Sequence, residues 1–220
     1  QKSYAVVVQT LSAGYYFSKR KRFNVEVIPN PNLIKKKIKR DLNERVKELV
    51  AVGRLHPQKD HQTLIKAMSL VLKKNPSLFL KIYGEGPLKT QLQDQIDCLD
   101  IAENVKLEGL KSNIYGYLEK ADIFIMPSIY EGFSNSLMEA LALGIPSIVS
   151  DCSGNLEIVS AEKEGLIFRK GNSIELSKQI NSLVKNYPKR CNLSLYGQER
   201  AFSYSPAVIF PLWEKLLFKA

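Results

Sequence analysis

From Lys47 onward, short β-branched apolar runs alternate with longer stretches of helical periodicity, and that alternation leaves few folds open. The apolar runs predict strands at Leu49–Val52, Leu78–Tyr83, Val105–Leu107, Ile123–Met126, Ser147–Val149 and Leu166–Phe168. Between the first two, Leu64, Ile65, Met68 and Leu72 share one helical stripe, and Leu88, Leu92, Ile96 and Leu99 repeat it in the next interval. Strands and helices alternating at this spacing require right-handed crossovers. The expectation is an α/β fold, a parallel sheet of about six strands covered by helices on both faces. Ligands of such sheets sit beyond the carboxyl ends of the strands, so functional residues are sought there.

The first 28 residues read differently. Ala5–Thr10 is an apolar strand, Leu11–Ser18 a helix and Val25–Ile28 a second short strand, too few elements to bury a core alone. Pro29-Asn30-Pro31-Asn32 then breaks the chain, since each proline fixes its own φ and restricts its predecessor. The expected organisation is a remnant of another domain over 1–28, a hinge and linker over 29–45 and the main domain over 46–203. A C-terminal amphipathic helix around Trp213 fills 204–220, with Pro211 inside or just before it.

Composition narrows the setting. Of the 220 residues 45% are hydrophobic and 25% charged, ordinary for a soluble protein with a substantial core. No apolar stretch approaches the ~18 residues that span a bilayer. Lys19 to Arg22 follow the first apolar stretch instead of preceding it, which is not a signal-peptide order. Cys98, Cys152 and Cys191 form neither a disulfide framework nor a zinc spacing, which points to a reducing cytoplasm. The net charge of +10 is concentrated in Lys19-Arg20-Lys21-Arg22 and in Lys35-Lys36-Lys37 through Lys39-Arg40. Such runs suit a solvated surface or the inner face of an anionic membrane, where each gains about 1 kcal/mol. No nucleic-acid-binding motif accompanies them.

Three strand ends carry the chemistry. After Val52 comes Gly53-Arg54-Leu55-His56-Pro57-Gln58-Lys59, in which Arg54 and Lys59 flank a turn ahead of a helix beginning near Asp60. Cations and free N–H groups at a helix start suit an anion; a polar loop capped by Asp60 fits the same residues. After Tyr83, Gly84-Glu85-Gly86-Pro87 allows close backbone approach, with Pro87 suited to a first helical turn. After Met126, Pro127 to Gly132 bring Glu131 on a polar loop, followed by a helix starting near Asn135 or Ser136. That helix start favours phosphate, and Glu139 one turn inside it can accept the hydroxyls of a ribose diol. Ser136-x-x-Glu139 also matches a capping box, and Glu131 equally fits a surface acid complementing the helix dipole. Two acids flanking a glycosidic bond would suit a hydrolase, which has no need of the glycine and Arg/Lys loops.

The order Gly53-Arg54-x4-Lys59, Gly84-x-Gly86-Pro87, Glu131-Gly132-Phe133-x5-Glu139-Ala140 and Gly144-x-Pro146 resembles the retaining GT-B glycosyltransferases often called family 4, over roughly 25–217. The resemblance implies a Rossmann-like domain, one half of a GT-B fold, that binds a nucleotide-diphosphate sugar, UDP-sugar first among them. It implies that Arg54 and Lys59 bind the diphosphate and neutralise the leaving group. It also implies that Glu131 contacts the donor sugar and Glu139 the ribose. Gly132, Phe133, Ser134, Asn135, Ser136 and Leu137 would surround sugar and phosphate, largely through backbone N–H groups. Leu107, Gly109 and Leu110 would face the base; Gly53, Gly84 and Gly86 would line the cleft. Residues 1–28 would end an acceptor-binding domain, and the acceptor would be a glycan or lipid-linked sugar of surface-polysaccharide assembly.

No metal or cofactor is expected, since two cations and a helix start can stabilise the leaving diphosphate and the sequence has no Asp-x-Asp. The chain departs from the family at Ser153-Gly154-Asn155-Leu156-Glu157, where a Gly-Gly pair is usual. With most of the acceptor domain lacking, the chain alone is expected to bind donor weakly and catalyse little. Two other functions fit the residues: a non-catalytic nucleotide-binding or interaction module, and a sugar-nucleotide epimerase of similar architecture.

Overall fold

The computed structural model describes residues 5–19, 24–34, 37, 40, 42 and 44–218. Of the two basic runs, Arg20, Lys21, Arg22, Lys35, Lys36 and Lys39 lie outside the described residues. The chain opens with β1 (Val6–Val8), α1 (Leu11–Ser18) and β2 (Val25–Val27), the two strands pairing in parallel as a small sheet of their own. Thr10 starts α1, its Oγ1 accepting the Ala13 N–H.

The main body follows as β3 (Glu48–Val52), α2 (His61–Leu72), β4 (Phe79–Tyr83), α3 (Lys89–Cys98), β5 (Val105–Gly109), α4 (Tyr115–Leu118) and β6 (Ile123–Met126). It continues through α5 (Asn135–Ala142), β7 (Ser147–Ser150), α6 (Ser153–Leu156), β8 (Leu166–Phe168), α7 (Ser173–Lys185), α8 (Tyr187–Phe202) and α9 (Pro206–Leu217). The six strands from β3 to β8 are all parallel, in the order β5-β4-β3-β6-β7-β8. The chain therefore winds outward from β3, returns to the centre at β6 and winds outward the other way. The reversal lies between β3 and β6, paired as Leu49 with Ile123 and Val50 with Phe124. In open α/β sheets such a reversal opens a crevice at the carboxyl ends.

Strand residues divide alternately between two cores, as a period of two requires. Leu49, Ala51, Ile123, Ile125 and Ile148 join one with Leu64, Ile65 and Met68 of α2, Ile96 of α3 and Ile180 of α7. Val50, Phe124, Met126 and Val149 join the other with Leu137, Met138 and Leu141 of α5 and Ala201 of α8. Each fully buried Val, Leu, Ile, Phe or Met side chain among them contributes about 1.5–3 kcal/mol, so the apolar residues of the strands hold helices on both faces.

The strands found match those read from the sequence to within two residues, with β5 reaching Gly109. α3 begins at Lys89, two residues after Pro87, and the Leu88 N–H ahead of it donates to Leu55 O at 3.1 Å. Pro211 falls inside α9, and a cavity bounded by Asn24, Glu26, Val27 and Ile28 on one side and Leu212, Lys215 and Leu216 on the other sets α9 beside β2. Among the described residues no helix is long and apolar enough to cross a membrane.

Candidate functional site

The loops leaving β3 and β6 meet over the sheet reversal. Past β3, Pro57–Lys59 form a short 3-10 helix, and Asp60, held at φ 46°, caps α2 by accepting the Thr63 N–H. Gln58 ties this loop to the next: its O accepts the Ile129 N–H at 2.8 Å and its Nε2 donates to Tyr130 O at 3.1 Å. Lys59 Nζ then lies 2.5 Å from Glu131 Oε1, with 14% and 8% of the two side chains exposed, so the pair is largely withdrawn from water. Arg54 reaches back to Gln58 Oε1 at 3.5 Å. Arg54, Lys59 and Glu131 thus share one rim of the crevice.

The glycines explain how the loops stack. A side chain at Gly84 would bring its first carbon to 2.0 Å from Gly53 O, and one at Gly86 to 2.4 Å from Leu55 O. The close approach anticipated at these glycines is made by the backbone of the neighbouring loop. Gly84 N–H donates to Gly109 O and Gly53 N–H to Tyr83 O, both at 3.0 Å, so the ends of β3, β4 and β5 form one surface. Leu107 packs against the core, while Leu110 is 79% exposed at the edge of this surface.

α5 starts at Asn135 with Ser134 as its cap, the Ser134 Oγ accepting the Leu137 N–H at 3.4 Å. The Ser136–Glu139 capping box is therefore not formed. Phe133, Leu137 and Met138 are all buried in the core, which fixes the helix start two residues earlier than that pattern requires. Ser136 Oγ points instead to Val52 O at 3.5 Å, bringing the helix start over the end of β3. The helical ladder begins with the Met138 N–H donating to Ser134 O, so the N–H groups of Asn135 and Ser136 stand ahead of it. Phe133 and Leu137 turn their side chains away from the crevice, Phe133 packing on Tyr204 with ring centres 5.3 Å apart.

Glu139, freed from capping, lines a cavity of about 180 Å³ with Tyr115, Asn135, Met138 and the connecting segment Asn30, Pro31, Asn32 and Leu33. Tyr115 Oη donates to Glu139 Oε1 at 3.2 Å. Burial raises the Glu139 carboxyl above its ordinary value, while the Tyr115 hydrogen bond lowers it. Asn30 Nδ2 donates to Asn135 Oδ1 at 2.8 Å and Gln9 Nε2 to Asn30 Oδ1 at 2.7 Å, linking the first strand, the connecting segment and α5.

Four residues near the site take parts that the sequence reading did not give them. His61 is buried beneath Gly53, its Nε2 3.4 Å from Gly53 O, and burial lowers its pKa to about 4. It is neutral near pH 7 and adds no third charge beside Lys59. Ser128 Oγ donates to Glu131 Oε1 at 2.6 Å. Gly154 lies against the Glu131–Gly132 backbone, where a side chain would come within 2.1 Å of Gly132 O. Glu157 Oε1 accepts the Ser12 N–H of α1 at 2.8 Å. The 153–157 segment, doubtful as a contact region from its altered glycine pair, thus supports the Glu131 loop and touches the first helix.

The family model described as glycosyl transferases group 1 matches residues 34–200, a span that holds the whole six-stranded sheet and both loops of the crevice. The chain belongs to the glycosyl transferases group 1 family. Its main sheet and flanking helices are the Rossmann-like half of a GT-B fold. Among group 1 relatives, an uncharacterized glycosyltransferase of Haemophilus influenzae is 28% identical over 200 residues, 90% of this chain and 56% of that protein. The N-acetylgalactosamine-N,N'-diacetylbacillosaminyl-diphospho-undecaprenol 4-alpha-N-acetylgalactosaminyltransferase of Campylobacter jejuni is 33% identical over 147 residues, 66% of this chain and 40% of the enzyme. The crystal structure of S. aureus TarM in complex with UDP superposes with a TM-score of 0.90 at 25% identity, covering 96% of this chain and 43% of TarM. The group 1 chain thus spans about half or less of these relatives' length.

Proposed function

We propose that this chain is the donor-binding half of a retaining, metal-independent glycosyltransferase of family 4. It takes a nucleotide-diphosphate sugar, UDP-sugar first among the candidates. The observation that carries the reading is the convergence at the sheet reversal, where Lys59 and Glu131 pair at 2.5 Å and Ser136 sets the start of α5 over Val52. In this reading Arg54, Lys59 and the leading N–H groups of α5 hold the diphosphate. As the sugar–phosphate bond breaks, negative charge grows on that diphosphate, and fixed cations with a helix start stabilise it without reorganising. Glu131 contacts the sugar. Glu139 accepts the ribose hydroxyls in the cavity beside Tyr115, and the ends of β4 and β5 border the base.

UDP in the solved TarM complex supports uridine as the base. The undecaprenol-linked substrate named for the Campylobacter relative supports a lipid-linked or glycan acceptor. The acceptor lobe would pack on β1, α1, β2 and α9. Retention and metal independence rest on the resemblance and on the cationic rim. The chain alone should transfer little sugar.

Calorimetric titration of UDP, GDP and ADP with a chelator present, on the wild type and on Glu139→Ala, tests the reading. Binding that survives the chelator and weakens in Glu139→Ala is expected. Absence of binding by all three nucleotides would favour an interaction module, and binding abolished by the chelator would remove metal independence.

A further inference from the structure

Glu131 is gripped from behind by a hydrogen-bonded chain that passes through the protein interior. Lys59 Nζ and Ser128 Oγ both contact the same carboxylate oxygen, Oε1, at 2.5 and 2.6 Å. Beyond Ser128 the chain continues, with Ser150 Oγ donating to Ser128 O at 2.5 Å. Asn155 Nδ2 donates in turn to Ser150 O at 3.2 Å and to Ser150 Oγ at 3.1 Å. Ser128, Ser150 and Asn155 are each 0% exposed and come from three places, past β6, at the end of β7 and within α6.

Three polar side chains in a dry interior are not what packing selects, because each must be hydrogen-bonded to offset its lost water. Asn155 Oδ1 has no hydrogen-bond partner, so the arrangement carries an unmet acceptor that an apolar residue would avoid. What it secures is direction. A carboxylate on a loop rotates freely unless one oxygen is held, and a sugar hydroxyl needs its acceptor within about 0.5 Å of the right place. With Oε1 clamped by a cation and a hydroxyl, Oε2 is the oxygen left to a ligand. Gly154 adds to the grip by pressing on the Glu131–Gly132 backbone.

We propose that Ser128, Ser150 and Asn155 are positioning residues that orient the Glu131 carboxylate toward the sugar of the donor, an inference that rests on the donor-binding reading above. They act on the sugar part of the ligand and not on the nucleoside diphosphate. The measurable quantity is therefore the ratio of two affinities, for a nucleoside diphosphate and for its hexose ester.

Calorimetry on this chain with UDP, GDP and ADP, then with the glucose ester of each that binds, reads that ratio. Ser128→Ala is expected to weaken the ester about tenfold relative to the free diphosphate, and Ser150→Ala to move the ratio the same way by a smaller factor. Ser128→Cys, which keeps a weak donor, recovers part of the loss and stands in should the alanine variant not fold. Ser147→Ala removes an equally buried hydroxyl, bonded to Ile145 O at 2.9 Å, and serves as the structural control with an unchanged ratio. A wild-type ratio in Ser128→Ala overturns the proposal, as does an equal shift in Ser147→Ala. If no nucleotide binds, or if Glu131→Gln keeps the wild-type ratio, the donor-binding reading itself falls and this inference with it.

Discussion

Tyr115 Oη donates to Glu139 Oε1 at 3.2 Å, joining the first residue of α4 to the middle of α5 across the cavity that Asn30 to Leu33 close. Burial holds the Glu139 carboxyl above its ordinary value of 4.5, and the Tyr115 bond opposes that rise. An ionised Glu139 accepts ribose hydroxyls with both oxygens; a protonated one loses acceptor capacity. Nucleoside diphosphate affinity should therefore decline on acidification before an ordinary carboxylate titrates. Tyr115→Phe should move that decline to higher pH. The nucleotide's own phosphate titrates identically in both proteins, so the difference between the two pH profiles isolates Glu139; coincident profiles would disprove the linkage.

The Lys59–Glu131 pair leads to opposite effects from its two halves. Glu131 neutralises much of the Lys59 charge, so Glu131→Gln should bind free nucleoside diphosphate roughly fivefold more tightly at low salt. Lys59→Ala should bind it roughly tenfold more weakly. Titrations at two salt concentrations check both signs, and a loss of affinity in Glu131→Gln would place the diphosphate elsewhere.

Three glycines separate packing from function. Gly84→Ala sets a methyl 2.0 Å from Gly53 O on a backbone with φ +150°, and should lose about 2–4 kcal/mol in denaturant unfolding. Gly116→Ala meets nothing within 4 Å inside α4 and should gain about 0.5–1 kcal/mol. Gly53→Ala places its methyl 3.0–3.2 Å from the Lys59 side chain, so nucleotide affinity should fall while stability changes little.

His61 makes stability depend on pH. Its pKa is lowered to about 4 in the fold from an ordinary 6.5, so the unfolded chain takes up a proton first as pH falls. The stabilising contribution is complete above pH 6.5 and is lost on acidification toward 4, amounting to roughly 3 kcal/mol. Urea unfolding at pH 7 and pH 5 should show about 2 kcal/mol of that loss in the wild type and a shallower one in His61→Gln.

The centre of the sheet was legible because β3 and β6 are buried on both faces and read as apolar runs, ended by Gly53 and Pro127; β4 and β5, with Lys81, Lys106 and Glu108, were legible from their β-branched and aromatic residues and the glycines at their ends. Arg54, Lys59 and Glu131 were legible as polar residues at strand ends. The capping box stayed open in the sequence because local spacing cannot weigh Ser136 against Ser134; the core demand of Phe133 and Leu137 chooses between them. Gly84 and Gly86 announced a close approach without saying whose, and the answer lay in a loop some thirty residues away in sequence. Ser128, Ser150 and Asn155 follow no periodicity, since adjacent parallel strands bring them together from separate turns of the winding.

The bond from Asn30 to Asn135 couples two things that are usually separable. Asn135 is the first residue of the helix that would meet the phosphates, and Asn30 lies in the stretch joining β2 to β3. A pull by a bound anion on that first turn would pass through this bond to the connecting segment. Ligand occupancy and the swing of whatever that segment carries would then rise and fall together, like a door whose latch is mounted on its own hinge pin.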